Sequence, residues 1–404
     1  MKKLRVMGGR PLEGEIYVSG SKNAALPIIF SCILIKDVSE IENLPDIGDT
    51  RAALHILRNM GAVVTRMADR VIIDTRDIEY VKPPGALSSS LRASTYLIGA
   101  CLGRFGVSHI AEFGGCSFQA RPIDMHLDAC RQLGCSVEGD GVRGFPSGGE
   151  IRFAKASVGA TVNAILLAVC AKGTSRIFGC ATEPHIDCLI EFLISAGASI
   201  IRRDDHLEIQ GRELSGGKIR IIDDMIEAGS YLALGLVTGG NIRVKNLPME
   251  DMSSVLDAFY SLGAEWDNDR LRMREPSYLE LTARPYPAFP TDLQPIFAPL
   301  MARFSGGRIT DEVWTGRFGY LNTLSAFGLR SSTSSNSAEI FSSSFHPARV
   351  SAPDLRGGFA ALMCALGARG ESGIYSAEII LRGYENICEK LCTLGAKINI
   401  DSIK

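Results

Sequence analysis

The sequence carries a short motif six times, in which a helix-like segment ends in glycine and alternating, strand-like residues follow. The six glycines are separated by 63 to 73 residues and are, in chain order, Gly61, Gly134, Gly197, Gly263, Gly328 and Gly395. Glycine fits the position just after a helix, because a left-handed backbone costs it little there. Six copies at nearly constant spacing favour a repeat protein over a doubly wound parallel sheet, which has no sixfold period.

Each copy is predicted to contain two helices and about four short strands. In the first copy, residues 24–34 are apolar on every side, and residues 50–60 have apolar side chains at helical spacing only. Residues 41–43, 62–66 and 71–73 are typical of strands. The apolar helix recurs at 94–102, 161–171, 227–237, 293–302 and 358–368. These helices should be buried, so the sequence predicts an α/β fold of six repeats in two lobes of three, with helices enclosed by sheets.

Composition excludes several classes of protein. With 404 residues, 46% apolar, 22% charged and a net charge of −2, the chain is neither disordered nor a dedicated nucleic-acid binder. Its longest apolar stretch, 24–35, is too short to span a membrane, and no secretory signal is expected at the N-terminus. Eleven cysteines without paired or zinc-like spacing indicate reduced thiols in a cytoplasm. The serine-rich run 331–345 is expected on strands of the fifth copy rather than in a linker.

Four places are candidates for chemistry. Lys22, in Gly20-Ser21-Lys22, precedes a buried helix and is either an anion site or an ordinary helix start with a solvated lysine. Cys116 follows Gly114-Gly115 near Arg121, and is either an activated thiol or a small apolar filler. Asp292, in Phe289-Pro290-Thr291-Asp292, is either a helix cap or a general base.

The fourth candidate is a set of arginines near the ends of buried helices: Arg92, Arg317, Arg356 and Arg382. Buried cations need anionic partners. One of them could pair with Asp354, but four together indicate a substrate that carries several negative charges.

These segments, in this order, resemble the enolpyruvyl transferases over nearly the whole chain. The resemblance rests on Ser21-Lys22-Asn23-Ala24-Ala25-Leu26-Pro27, Gly114-Gly115-Cys116, Ala120-Arg121-Pro122-Ile123-Asp124, Phe289 to Gln294, Asp354-Leu355-Arg356 and Arg382-Gly383-Tyr384-Glu385. It implies an inside-out α/β fold whose first lobe spans 22–222 and whose second spans 1–21 and 223–404. The active site is then expected in the cleft between the lobes.

The Cys116 loop and the Lys22-Asn23 pair resemble the branch of the family that acts on UDP-N-acetylglucosamine. That branch moves the enolpyruvyl group of phosphoenolpyruvate onto the 3′-hydroxyl of the sugar nucleotide, the first committed step of peptidoglycan synthesis, and so serves cell wall biogenesis, cell shape and cell division. The resemblance implies a cytoplasmic enzyme with no metal or cofactor, no nucleic-acid partner and no membrane insertion, and we expect a monomer.

The resemblance also implies roles for individual residues. Cys116 would be the general acid on a lid loop and the thiol that fosfomycin attacks, and Asp292 the base or the hydroxyl-binding carboxylate. The remaining implied contacts are Lys22, Arg92, Arg121, Arg317, Arg356 and Arg382 for phosphoenolpyruvate; Arg121, Pro122, Ile123 and Asp124 for uracil; Lys155, Ser157, Val158 and Gly159 for the diphosphate; and Asn23 and Val313 for the amino sugar. Asp354 is implied to be a further substrate-binding residue.

The chain departs from the family pattern mainly in the second lobe. The differing positions are Asp223 to Met225, Thr315 and Gly316, Gly357 and Gly358, and Ile379 and Leu381. They leave two alternatives open: a transferase that uses another uridine nucleotide, or a catalytically weak relative that binds UDP-sugars.

Overall fold

A computed structural model describes residues 1–82, 85, 91–110 and 122–402. Its helices come in six consecutive pairs, and the second helix of each pair ends just before one of the six glycines, which confirms the predicted repeats. In chain order the paired helices are α1 (Lys22–Ser31), α2 (Gly48–Asn59), α3 (Leu97–Phe105), α4 (Asp124–Gln132), α5 (Val158–Ala168), α6 (Pro184–Ser195), α7 (Met225–Thr238), α8 (Ser253–Ser261), α9 (Gln294–Arg303), α10 (Tyr320–Ser325), α11 (Leu355–Gly367) and α12 (Ile387–Thr393).

Short strands separate these helices. Among the described residues they are β1 (Lys2–Gly8), β2 (Glu13–Tyr17), β3 (Val38–Glu42), β4 (Val63–Arg66), β5 (Arg70–Asp74), β6 (Val107–His109), β7 (Ser136–Glu138), β8 (Gly141–Arg143), β9 (Glu150–Arg152), β10 (Thr174–Phe178), β11 (Ser199–Arg202), β12 (His206–Gln210), β13 (Gly217–Arg220), β14 (Asn241–Lys245), β15 (Ala264–Asp267), β16 (Arg270–Met273), β17 (Leu279–Ala283), β18 (Gly307–Asp311), β19 (Arg330–Thr333), β20 (Ser337–Phe341), β21 (Arg349–Ser351), β22 (Gly370–Tyr375) and β23 (Lys397–Ser402). The serine-rich run thus forms strands β19 and β20, as predicted.

The chain forms two compact units, which we call the first lobe (described residues of 20–222) and the second lobe (1–19 and 223–402). The chain therefore leaves the second lobe after Ser19 and returns to it at Asp223. Ser21 donates its backbone N–H to the Ile222 carbonyl oxygen at 2.7 Å, so Gly20 and Ser21 belong to the first lobe. The boundary that was expected after residue 21 lies two residues earlier, after Ser19.

The first helix of each repeat forms the core of its lobe. In α7 every residue from Ile226 to Val237 is buried, and in α11 every residue from Leu355 to Leu366. The three inner helices of the second lobe, α7, α9 and α11, pack against one another, and in the first lobe α3 packs against α1 and α5. Helices that are apolar on every side need such enclosure. Among the described residues, no helix is both long enough and apolar enough to cross a membrane.

Among the described residues, seven small sheets surround the cores of the two lobes, one for each repeat except that of α7 and α8, which has two strand pairs. The first lobe has the strand orders β13-β3-β5-β4, β6-β8-β7 and β11-β12-β10-β9, and the second has β17-β18-β20-β19, β21-β22-β1-β23 and the pairs β14-β2 and β15-β16. A parallel pair recurs, as in β3 with β13, where Ile41 faces Ile219, and in β22 with β21, where Ile374 faces Val350. Strand β1 lies between β22 and β23, so the N-terminal segment completes the sheet of the last repeat.

The six glycines share one conformation. Their φ angles lie between +81° and +100°, the left-handed region in which residues with a side chain are strained. In the first repeat, the backbone N–H of Ala62 reaches back to the Leu57 carbonyl oxygen at 3.0 Å, and Ala198 and Ala396 bond to Leu193 and Leu391 in the same way. These bonds close the helix end and send the chain into the next strand.

Candidate active site

Asp292 connects two buried arginines in the second lobe. It lies in the turn before α9, where its Oδ1 accepts a hydrogen bond from Arg317 Nη2 at 2.8 Å. Its Oδ2 accepts one from Arg356 Nη2 at 3.4 Å. Helix α9 has no side-chain cap, so Asp292 does not play the capping role that the sequence left open. One carboxylate between two guanidinium groups leaves a net positive charge on the three side chains, which favours an anionic ligand.

A chain of hydrogen bonds fixes the orientation of Arg317. Its Nη1 donates to Thr291 Oγ1 at 2.6 Å, and that hydroxyl donates to Asp311 Oδ2 at 2.6 Å. The other oxygen of Asp311 accepts the backbone N–H groups of Val313 and Trp314, each at 2.9 Å. Asp311, at the end of β18, therefore holds both the arginine and the turn that carries Val313. No sequence pattern indicates these roles of Thr291 and Asp311.

Arg356 retains unused hydrogen-bonding capacity although it is only 2% exposed. Its guanidinium carbon lies 5.3 Å from the centre of the Tyr384 ring. Among the described residues, its Nε and Nη1 have no hydrogen-bond partner. Burial tends to lower the pKa of Arg356, but its neighbours Tyr384, Asp292 and Asp224 raise it above the ordinary value. A buried, charged donor with unpaired N–H groups is costly unless a ligand accepts from it.

Asp354 contacts the backbone rather than a guanidinium group. Its Oδ1 accepts the N–H groups of Arg356 and Gly357 at 2.9 and 3.0 Å, so Asp354 caps α11. Asp354 was one possible arginine partner from the sequence, but the guanidinium of Arg356 pairs with Asp292 instead. Arg382 ends the short turn 377–382, half-buried, and the next residue, Gly383, packs against Leu355 at the start of α11.

In the first lobe, Lys22 is only partly exposed and forms an ion pair. It is the first residue of α1, and its Nζ lies 3.4 Å from Asp49 Oδ2 in the first turn of α2. The two side chains are 15% and 6% exposed, so the structure contradicts a solvated lysine at this helix start. Asn23 follows it, half-buried. Asp49 could not be identified from the sequence, because a partner 27 residues away leaves no local pattern.

Two segments predicted to contact the nucleotide begin neighbouring helices of the first lobe. Pro122 and Ile123 lead into α4, which starts at Asp124, and Ser157 leads into α5, whose first residues are Val158 and Gly159. Lys155 lies just before and is exposed. Free backbone N–H groups at such helix starts favour phosphate groups.

His126 joins these two helices. Its ring packs so closely on Gly159 that a Cβ there would lie 2.9 Å from it. Asn163 accepts the Gly99 N–H through Oδ1 at 2.7 Å, which turns its Nδ2 toward His126 Nδ1, also at 2.7 Å. The histidine nitrogen therefore accepts. Burial and the charge of Arg92 lower the pKa of His126 to about 4, against a smaller opposite effect of Asp124. Sequence reasoning did not assign a role to His126.

Cys116 and Arg121 lie outside the described residues. Of the other cysteines, six are buried, and none forms a disulfide within the part of the chain that the structure describes. Burial raises the pKa of the Cys32 and Cys101 thiols to about 12. Such thiols are unreactive fillers of the core.

Comparisons with known proteins agree with this architecture. The family model described as EPSP synthase (3-phosphoshikimate 1-carboxyvinyltransferase) matches residues 6–391. A protein of Pelodictyon phaeoclathratiforme named UDP-N-acetylglucosamine 1-carboxyvinyltransferase is 35% identical over 99% of this chain and 98% of its own. A protein of the same name from Streptococcus pneumoniae serotype 2 is 36% identical over 99% of each chain.

Solved structures show the same fold. The enolpyruvyl transferase NikO from Streptomyces tendae superposes with a TM-score of 0.88 at 22% identity, covering 100% of this chain and 99% of its own. EPSP synthase from Acinetobacter baumannii gives 0.72 at 15% identity and covers all of both chains. The two lobes of three repeats, together with these matches over the whole chain, place the protein among the enolpyruvyl transferases, as an enzyme of the transferase class.

Proposed function

We propose that this enzyme transfers the enolpyruvyl group of phosphoenolpyruvate to the 3′-hydroxyl of UDP-N-acetylglucosamine and releases phosphate. Relatives named UDP-N-acetylglucosamine 1-carboxyvinyltransferase support the two substrates, since they match nearly the full chain at 35–36% identity. The observation within the structure that carries the proposal is Arg356, a buried guanidinium with two unpaired N–H groups beside the Asp292–Arg317 pair. A compact reactant with a phosphate and a carboxylate fits such a surplus of positive charge.

The reaction is an addition followed by an elimination. A proton adds to C3 of phosphoenolpyruvate while the sugar oxygen attacks C2 and gives up its own proton, which forms a tetrahedral ketal. A proton then leaves C3 as the C2–O bond to phosphate breaks, and the enol ether and inorganic phosphate remain. The cations stabilise the phosphate and carboxylate charges throughout.

We assign the proton that adds to C3 to Cys116, and we assign Asp292 as the base that accepts the proton of the sugar hydroxyl. Lys22, Arg92 and Arg121 of the first lobe would combine with Arg317, Arg356 and Arg382 of the second to bind phosphoenolpyruvate. In this proposal each lobe supplies half of the site, so that closure completes it and excludes water.

The nucleotide would be held mainly by the first lobe. We assign uracil to Arg121, Pro122, Ile123 and Asp124, and the diphosphate to Lys155, Ser157, Val158 and Gly159, with backbone N–H groups as donors. Asn23 and Val313 would contact the amino sugar. The enzyme would then act in the cytoplasm, at the first committed step of peptidoglycan synthesis.

Phosphate release by the purified enzyme tests this assignment. Release should require both substrates, and Cys116→Ser and Asp292→Asn should each lower kcat by about a hundredfold or more, because each removes a proton-transferring group. Asp401→Asn, which alters a surface carboxylate of the second lobe paired with Arg5, is the matched control and should keep parental rates. Release with a different uridine nucleotide but not with UDP-N-acetylglucosamine would reject the proposed acceptor. UDP-sugar binding without any release would reject catalysis.

A further inference from the structure

The end of the serine-rich run lines a cationic cavity at the surface of the second lobe. After β20 the chain turns back over the end of α9, where Ser343 donates its backbone N–H to the Ala302 carbonyl oxygen at 2.7 Å. A cavity of about 480 Å³ opens there. We call it the serine–arginine cavity. Its walls include Arg303, Arg330, Ser342, Ser343, Ser344 and His346. Of the described residues that line it, none is acidic.

Both arginines are held in place by carbonyl groups rather than by carboxylates. Arg303 Nε donates to the Val237 carbonyl oxygen at 3.3 Å, and Arg330 Nη2 donates to the Ser342 carbonyl oxygen at 2.7 Å. Within the described residues neither arginine forms an ion pair. A neutral acceptor fixes the guanidinium group without neutralising it, so the cavity carries two oriented positive charges. Arginine forks beside hydroxyl groups match the oxygens of a phosphate group.

A second cavity adjoins the first and shares Arg330. We call it the Phe341 cavity, and it measures about 600 Å³. Its apolar wall is formed by Leu321, Leu329 and Phe341, and the Phe341 side chain is 44% exposed. A large exposed aromatic side chain next to an uncompensated cation provides a place for a planar or apolar group attached to an anion.

These cavities are separate from the Asp292 site. Arg303 is the last residue of α9, whereas Asp292 precedes its first residue. A helix of ten residues is about 15 Å long, so a compact ligand at one end does not reach the other.

We propose that the serine–arginine cavity and the Phe341 cavity together form a second ligand site, which binds a phosphate monoester that carries an aromatic or other apolar group. The phosphate lies between Arg303 and Arg330 and accepts from the serine hydroxyls. The attached group packs on Phe341. The site is independent of the substrates assigned to the transfer reaction.

Calorimetric titration with phenyl phosphate and with inorganic phosphate, at constant ionic strength, tests this site. Arg303→Gln/Arg330→Gln is compared with Arg349→Gln, which removes an exposed arginine of the same lobe outside the cavities. Because both variants retain the Asp292 site, any binding there is common to them. The double variant should weaken phenyl phosphate binding about a hundredfold relative to the control, at about tenfold for each arginine. Phosphate release from phosphoenolpyruvate should stay at the parental rate.

Two further measurements complete the test. Phe341→Ala should bind phenyl phosphate no more tightly than inorganic phosphate, whereas the parent should prefer phenyl phosphate. If the double variant does not fold, Arg330→Gln alone carries the comparison, since its side chain is exposed. Equal affinity and stoichiometry in the cavity variant and in Arg349→Gln would overturn the proposal.

Discussion

At the scale of single residues, Thr291 and Asp311 of the second lobe hold Arg317 in position, and this role requires no contact with a substrate. Thr291 accepts from Arg317 and donates to Asp311, so one hydroxyl links the cation to the end of β18. If the hydroxyl is removed, a buried arginine N–H and a buried carboxylate oxygen both lose this hydrogen bond. Unsatisfied buried groups of this kind are more costly than the bond itself is stabilising.

Thr291→Val should therefore lower the free energy of unfolding by about 1–3 kcal/mol. It should also raise KM for phosphoenolpyruvate more than it lowers kcat, because Arg317 loses its orientation. Thr291→Ser keeps the hydroxyl and should restore most of both properties. Urea unfolding and steady-state kinetics measure the two effects. Equal behaviour of the valine and serine variants would show that the hydroxyl does not position Arg317.

At the scale of elements, the sequence was most informative where structure is local. A helix that ends in a left-handed residue needs glycine at that position, and six such glycines at a regular period predict six repeats. The contacts of the site are not local. Asp292 and Arg356 are 64 residues apart, and Lys22 and Asp49 are 27 apart. The periodicity of the sequence does not predict which carboxylate pairs with which cation. The roles of Asp49, Asp311 and His126 could therefore be recognised only in the folded chain.

The α4–α5 pair should make stability depend on pH. The pKa of His126 is about 4 in the folded protein and near its ordinary 6.5 when unfolded. The unfolded chain therefore binds more protons than the folded one between these pH values. The contribution of the neutral His126 to the free energy of unfolding is complete above pH 6.5 and is lost as the pH falls toward 4. A shift of this size corresponds to about 3 kcal/mol.

His126→Gln keeps an acceptor for Asn163 but cannot titrate. It should reduce the loss of unfolding free energy between pH 7 and pH 4.5 by about 2–3 kcal/mol, as measured by urea unfolding at each pH. His55→Gln, at an exposed position of α2, controls for loss of an imidazole. Parallel stability profiles for the parent and His126→Gln would contradict the assignment.

At the scale of the whole molecule, one buried ion pair holds the second lobe together at the point where the chain leaves it. Lys390 Nζ in α12 donates to Glu227 Oε1 and to Ser19 Oγ, each at 2.7 Å. Glu227, in the first turn of α7, also accepts the Ser19 backbone N–H through its other oxygen, at 2.6 Å. Burial raises the pKa of Glu227, although Lys390 acts in the opposite direction. Three segments that are distant in sequence therefore share one charge pair.

Lys390→Met should destabilise the fold by about 3–5 kcal/mol, since it leaves the Glu227 charge buried without its partner. Adding Glu227→Gln should recover much of that loss, because the amide carries no charge and still accepts from Ser19. Urea unfolding of the parent, the two single variants and the double variant gives the coupling energy directly. Additive effects would mean that the ion pair does not stabilise the crossing point.

The position of β1 also has a consequence for synthesis on the ribosome. The first lobe is continuous in sequence and can fold as soon as residue 222 has emerged. Strand β1, by contrast, must pair with β22 and β23 at the far end of the chain. At about 5–20 residues per second, it waits roughly 20–80 s for both partners. During this interval the residues of β1, including the apolar side chains of Leu4 and Val6, lack their partner strands. The nascent chain must therefore tolerate an unpaired strand or have it shielded by chaperones.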